Sequence, residues 1–163
     1  MQQRHNQGGG KQPPAGGSGT GSDGIERLLR QPSEKCRYFA DNTGAPRKEL
    51  LDEEAQRVAE KLKTLPASQL RRFYAEVMAL KRRLELDDTL ADGEITAQLA
   101  LLKAKAAYTC KRNEKYPDEL VRFFTRHAAA VGGRRDFLRG FQPHFEAVMA
   151  YHRVFEQKKG DRD

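Results

Sequence analysis

Apolar residues recur at intervals of three and four through most of this chain, and that spacing is typical of amphipathic helices. No segment alternates polar and apolar residues over the length of a strand, and β-branched residues are scarce. We therefore predict an all-α fold, a compact bundle of about five helices with short connections. The clearest apolar side belongs to the third predicted helix and consists of Ile95, Leu99, Leu102, Ala106 and Cys110.

Proline, glycine and capping residues divide the helical region into its segments. The first predicted helix runs from Arg47 to the residues before Pro66, because proline cannot continue a helix. Ser68 is the predicted N-cap of the second helix. Gly93 and Pro117 mark the beginnings of the third and fourth helices, since glycine interrupts a helix and proline is tolerated in a first turn.

The two ends of the chain differ from this central region. Residues 134–157 form the last predicted helix, which should be kinked or split at Pro143. Residues 1–35 begin with a stretch rich in Gly, Gln, Ser and Pro that cannot offset the entropy of ordering, so we predict a disordered tail. Within this tail, Ile25–Leu29 could form a helical turn or a docking peptide. Residues 36–163 are the predicted helical domain.

The chain is basic, with a net charge of +7, and its cations are concentrated in one region. Residues 101–139 carry ten Lys and Arg side chains against four Asp and Glu. Clustered positive charge favours nucleic acid, an anionic membrane or an acidic protein, although a solvated mixed-charge surface would carry the same residues. The chain shows no signal peptide, no apolar run that could span a bilayer and no disulfide framework, which predicts a cytoplasmic protein without membrane attachment.

The sequence patterns that support catalysis are missing. The chain has neither a HExxH pair nor a glycine loop that would bind phosphate. His144 and His152 are eight residues apart and lack an evident third ligand. Stacked or hydrogen-bonded histidines in an aromatic core are therefore the expected arrangement. We predict a protein that is not an enzyme, with no metal and no cofactor.

Four segments carry the most recognisable pattern: YFADNTGAPRKELLDEEAQRVAEKL, LRRFYAEVMALKRRL, LLKAKAAYTCKR and FLRGFQPHFEAVMAYHRVFEQ. In the last of them, Phe-Glu-Ala followed by Ala-Tyr-His is the most specific string. Together the segments resemble the small all-helical subunit of type III-A (Csm) CRISPR–Cas effector complexes. Their order, spacing and combined length agree with that family from Tyr38 to Gln157, whereas the N-terminal tail lies outside the pattern.

That resemblance implies an RNA-binding structural subunit without catalytic activity, acting in antiviral defence. Copies of such a subunit stack head to tail as a filament beside the backbone ribonuclease subunits and the large subunit of the complex. They follow the duplex of guide (CRISPR) RNA and target RNA and hold its phosphates, while base pairing reads the sequence. The nuclease chemistry belongs to the other subunits.

The basic side of the third predicted helix is where we place the RNA contact. Lys105 and Arg112 are seven residues apart and share one face of a helix, with Tyr108 close to the line between them. Backbone recognition requires Lys and Arg, although Tyr108 could equally pack between helices. Lys103 and Lys111 flank this face on the other side. Second-rank candidates, for which a solvated surface or an ion pair between subunits is the alternative, are Arg71, Arg82 and Arg83 of the second helix and Arg122 and Arg126 of the fourth.

Other function classes fit the same helices. A helix-turn-helix regulator would place the basic third helix on DNA, although that helix is richer in Lys than base recognition favours. A helical adaptor would bind an acidic protein and would show no RNA affinity at moderate salt. An enzyme with His144 or His152 in its site would need an activity that substitution of those histidines abolishes.

Overall fold

Helices account for most of the computed structural model, which describes residues 22–30, 36–40 and 44–160. Within these residues, the strands β1 (Phe39–Ala40) and β2 (Ala45–Pro46) form one short antiparallel pair. The predicted all-α fold is thereby confirmed, and none of the described helices is long and apolar enough to cross a membrane. The helices are α1 (Ser22–Arg30), α2 (Lys48–Leu51), α3 (Glu53–Lys61), α4 (Ala67–Leu86), α5 (Asp92–Arg112), α6 (Glu119–Ala130), α7 (Arg134–Asp136) and α8 (Gln142–Gly160).

The predicted apolar sides of the helices form the core of the bundle. All five positions predicted for the third helix lie on α5, and each of them is at most 2% exposed. The apolar sides of α4 and α6 are buried as well, including Phe73, Phe123 and Phe124. In the centre, the ring centroid of Phe123 lies 6.0 Å from that of Phe141 and 5.1 Å from that of Phe145. The aromatic residues of the C-terminal half therefore join the helices into one core.

The first predicted helix is divided in two. Asp52 leaves helical geometry with φ −119° and ψ −99°, so α2 and α3 are separate helices. Leu51 is consequently 38% exposed, whereas Leu50 is fully buried. The Asp52 carboxylate accepts hydrogen bonds from Tyr151 and Gln56, and these contacts hold the break in place.

The beginnings of two helices also differ from the prediction. Ser68 is not the N-cap of α4, because Pro66, with φ −58°, occupies the position before the helix. The last predicted helix is split, but the irregular part precedes Pro143. There α7 continues into a π-helical turn at Phe137–Phe141, and α8 begins at Gln142. Pro143 thus lies in the first turn of α8, where its missing N–H costs no helical hydrogen bond.

One helix of the structure lies within the predicted tail. Ile25–Leu29, predicted as a helical turn or a docking peptide, lies in α1, which packs on α5 and α6. Ile25 and Leu28 are each 7% exposed, because the two residues share the side of α1 that faces the bundle. Lys103 on α5 donates a hydrogen bond of 3.4 Å to the carbonyl oxygen of Leu29. The remaining residues of the predicted tail lie outside the described part of the chain.

The segment that enters α2 is extended and lies against the bundle. Gly44 turns the chain between β1 and β2 with φ 73°, a conformation that favours glycine. Tyr38 is 4% exposed, and its ring packs directly against Gly140 in the π-helical turn. Its hydroxyl lies 2.8 Å from Nδ1 of His127. These contacts fix the entry segment to the centre of the fold.

Three histidines are buried core residues, as expected from the sequence. His127 is fully buried, and its Nε2 has no hydrogen-bond partner within the described residues. Nδ1 of His144 lies 2.5 Å from the carbonyl oxygen of Leu50, and Nε2 of His152 lies 3.0 and 3.1 Å from two carbonyl oxygens at the end of α3. Burial lowers the pKa of His127 well below its usual value and lowers the pKa of His144 to about 4.

We expect His127 and His144 to make the protein less stable in acid. Their folded pKa values lie below the unfolded value of about 6.5, so the unfolded state binds more protons as the pH falls below it. Between its folded pKa and about pH 6.5, each of these two histidines should lower the free energy of unfolding by about 1.4 kcal/mol for each pH unit of acidification. Urea denaturation near neutral pH and near pH 5 measures this loss. His144→Gln should show a smaller loss than the wild type, and an equal loss in both proteins would contradict the prediction.

Candidate nucleic-acid interface

A polar groove separates α4 from α5 on the surface of the bundle. Its volume is about 590 Å³, and its walls come from α4 on one side and from α5 with the turn that follows it on the other. Most apolar positions of both helices are buried in the core, so mainly polar positions remain to face the groove. This α4–α5 groove is lined by Gln69, Arg72, Phe73, Glu76, Lys105, Tyr108, Thr109, Arg112, Asn113 and Tyr116.

Three cations and one carboxylate set the charge of the α4–α5 groove. Nζ of Lys105 lies 2.7 Å from Oε2 of Glu76, and this ion pair links α5 to α4. Arg72 and Arg112 are exposed, and neither forms an ion pair within the described residues. The groove therefore presents two guanidinium groups that are available to an anion. A planar guanidinium can donate two parallel hydrogen bonds to a phosphate or carboxylate group.

An aromatic ring lies between the cations of the groove. Tyr108 is 63% exposed, so it does not pack between helices. The guanidinium carbon of Arg112 lies 5.6 Å from the centroid of the Tyr108 ring, within the range of a cation–π contact. The α5 wall thus combines positive charge with a flat apolar surface.

The structure brings three of the predicted contact residues together. Lys105, Tyr108 and Arg112 all line the α4–α5 groove, as their helical spacing requires. Lys111 is exposed but does not belong to the lining. Lys103 is half-buried on the side of α5 that faces α1, and its hydrogen bond to the end of α1 gives it a structural role.

The second-rank candidates are dispersed over the surface. Arg83 pairs with Glu94 at 2.9 Å and joins α4 to α5 near their connecting turn. Arg71, Arg82 and Arg122 are exposed, and none of them lines the α4–α5 groove. A contact between these residues and RNA would therefore lie outside the groove.

Arg126 lies in a second cleft, between the entry segment, α3 and α6. This α3–α6 cleft has a volume of about 470 Å³ and is lined by five cations and two carboxylates, with His144. Both carboxylates are already paired. Glu119 is buried and lies 3.6 Å from Arg126 and 4.0 Å from Lys61, while Glu54 lies 2.7 Å from Arg47. The cleft still has more cations than carboxylates, as the groove does, but only the α4–α5 groove adds an exposed aromatic ring, Tyr108, and this makes it the better candidate for RNA.

Arg72 is a groove residue absent from the sequence-based candidates, which include its neighbour Arg71. Consecutive residues of a helix differ by about 100° around its axis, and here Arg72 lines the groove whereas Arg71 does not. The spacing of Arg72 from other polar residues of α4 is the sequence signal that could have identified it as a groove residue. Gln69, Arg72 and Glu76 are three and four residues apart, which places them on the same side of α4.

The groove offers charge, hydrogen-bond donors and an aromatic surface. Its polar side chains include the amides of Gln69 and Asn113 and the hydroxyl of Thr109, all suited to hydrogen bonds with phosphate or ribose oxygens. The described residues contain no group of three or more His, Cys, Asp or Glu side chains placed to hold a metal ion. Binding of an anion with a flat apolar part is the chemistry that this set of residues supports.

A comparison with protein families bears directly on the identity of the chain. The family model for Csm2 Type III-A matches residues 45–158, which include α2 to α7 and both walls of the α4–α5 groove. Neither a curated protein nor a solved structure matches the chain. Since the family model covers well over half of the sequence, the chain belongs to the Csm2 family, the small subunits of type III-A CRISPR–Cas effector complexes.

Proposed function

We propose that this chain is a non-catalytic structural subunit that binds the backbone of the guide RNA–target RNA duplex through the α4–α5 groove. In this role its copies stack as a filament beside the backbone ribonuclease subunits and the large subunit, in the cytoplasm, as part of antiviral defence. The observation that supports RNA binding most strongly is the presence of two exposed guanidinium groups beside an exposed tyrosine ring in one groove. Arg72 and Arg112 stand on opposite walls and have no ion-pair partner within the described residues.

The arrangement of the groove suits a polymer backbone better than base edges. Its charged side chains project from the sides of two helices, whereas helices that read bases usually direct their N-terminal residues into a groove of DNA. Lys105 and Arg112 are about 10 Å apart along the axis of α5. Two side chains at that separation can contact different phosphates of one strand. Contacts of this kind hold a duplex without distinguishing its sequence.

Titration of the full chain with guide–target RNA duplexes of two unrelated sequences tests this function. We expect equal affinities and a linear fall of log affinity with log salt, because each phosphate contact releases counterions. A preference for one duplex DNA sequence would support a helix-turn-helix regulator instead. Absence of RNA binding at moderate salt would support an adaptor for an acidic protein. Either outcome would overturn the proposal.

Replacement of Glu76 by Gln should strengthen RNA binding. The substitution removes the carboxylate of the groove lining and releases Lys105 to contact a phosphate. One additional contact should steepen the slope of log affinity against log salt by about 0.7 to 0.9, which raises the affinity roughly 5- to 8-fold at about 0.1 M salt. Glu85→Gln is a matched control, because Glu85 pairs with Lys81 outside the groove. Equal affinities of the two variants would show that the groove charge does not govern RNA binding.

A further inference from the structure

The α4–α5 groove exposes an aromatic ring that phosphate binding does not require. Tyr108 is 63% exposed, whereas every other aromatic side chain in the described part of the chain is buried or half-buried. Its neighbours Ala106, Ala107 and Cys110 are buried, so the core of α5 is complete without the tyrosine. An exposed ring within a charged groove suits a ligand that has an apolar face as well as a negative charge.

The side chains around this ring match the two parts of a nucleotide. Arg112 lies over the Tyr108 ring at 5.6 Å, and Lys105 lies one turn away on the same wall. Arg72 projects from the opposite wall. Aromatic rings and guanidinium planes stack on nucleic-acid bases, while the positive charges hold the phosphates on either side. The groove thus has a complementary group for both the base and the backbone.

We propose that Tyr108 stacks on an unpaired RNA base while Arg72 and Arg112 hold the adjacent phosphates. This inference rests on the proposed function and adds that the groove prefers a single-stranded segment beside a duplex to a continuous duplex. In a continuous duplex each base is already stacked on its neighbours, so the ring can be reached only by a base at an unpaired position. Stacking on an aromatic side chain accepts all bases, which agrees with binding that is independent of sequence.

Three RNA ligands test the role of Tyr108 with the full chain. They are a continuous guide–target duplex, the same duplex with a short single-stranded extension, and the same duplex with an extension of equal length that lacks bases. The wild type should bind the extension with bases roughly 5- to 150-fold more tightly than the abasic extension. The two extensions carry the same phosphates, so their difference isolates stacking from charge.

Variants of the tyrosine complete the test. Tyr108→Phe should keep the advantage of the extension with bases, because the ring remains. Tyr108→Ala should lose that advantage and bind the two extensions with equal affinity. A 2-aminopurine base in the extension should be quenched by the wild type and by Tyr108→Phe but not by Tyr108→Ala. Free AMP should not compete with the extended duplex at similar concentration, since it cannot occupy the flanking phosphate contacts.

The outcomes separate this inference from the proposed function. Equal binding of the two extensions by the wild type, or an advantage that survives in Tyr108→Ala, would overturn the stacking role while leaving backbone binding intact. Failure of the proposed function would appear as weak binding of all three RNA ligands without salt dependence. If Tyr108→Ala bound every RNA normally but no longer associated with the other subunits of the complex, the ring would contact protein, and the inference would be wrong.

Discussion

Replacement of Gly140 by Ala is expected to lower the free energy of unfolding by about 3 kcal/mol, at the upper end of the usual cost of overpacking a core. Gly140 is buried in the π-helical turn at Phe137–Phe141. A Cβ atom at this position would lie 2.7 Å from Cβ of Tyr38 and closer still to its ring. The tyrosine cannot move aside easily, because its hydroxyl is hydrogen-bonded to the buried His127.

Urea denaturation of the variant and of a matched glycine variant measures this cost. Gly93 lies in the first turn of α5, and a Cβ atom there would meet nothing within 4 Å. Gly93→Ala should therefore be as stable as the wild type or slightly more stable, since Ala favours helix over Gly. In combination with Tyr38→Ala, Gly140→Ala should cost less than it does alone, because the opposing ring is gone. A Gly140→Ala protein with the stability of the wild type would mean that Tyr38 does not pack against Gly140.

Replacement of both Arg72 and Arg112 by Ala is expected to weaken binding of the guide–target duplex roughly 25- to 60-fold at about 0.1 M salt. The two guanidinium groups are the groove cations that lack an ion pair within the described residues, so both are available to phosphate. Each phosphate contact strengthens binding because it releases counterions from the RNA. Losing one contact weakens the affinity by one such factor, and losing two multiplies the factors. The helical circular dichroism signal should not change, because both side chains are exposed. Fluorescence anisotropy with labelled duplex measures the affinity.

Arg153 provides the matched control for this pair. It is exposed on α8 and belongs to neither the α4–α5 groove nor the α3–α6 cleft. Arg153→Ala removes one positive charge from the protein and should change the affinity far less than either groove substitution alone. Similar losses for Arg153 and the groove arginines would indicate attraction by net charge instead of a defined site.

The helices themselves could be predicted because each one has a regular apolar side. Along α5 the five apolar positions are all buried, and the polar residues between them line the groove, face solvent or, in the case of Lys103, contact α1. The same periodicity placed Lys105 and Arg112 on one face. These features depend only on residues within one helix, and helical spacing determines them before any tertiary contact forms.

The features that the sequence did not reveal depend on contacts between distant segments. Glu76 and Lys105 are 29 residues apart and pair only because α4 and α5 lie side by side. The break at Asp52 is held by the hydroxyl of Tyr151, which is 99 residues away. In the same way, α1 is ordered by apolar contacts with α5 and α6 and not by its own short sequence.

The slope of log affinity against log salt is the most direct test of the claim that the α4–α5 groove holds the RNA backbone. It should be measured for the wild type and for the double variant of Arg72 and Arg112, with the same guide–target duplex. We predict a slope smaller by about 1.4 to 1.8 in the double variant, because two phosphate contacts are lost. Equal slopes for the two proteins would contradict the claim and would place the RNA on another surface.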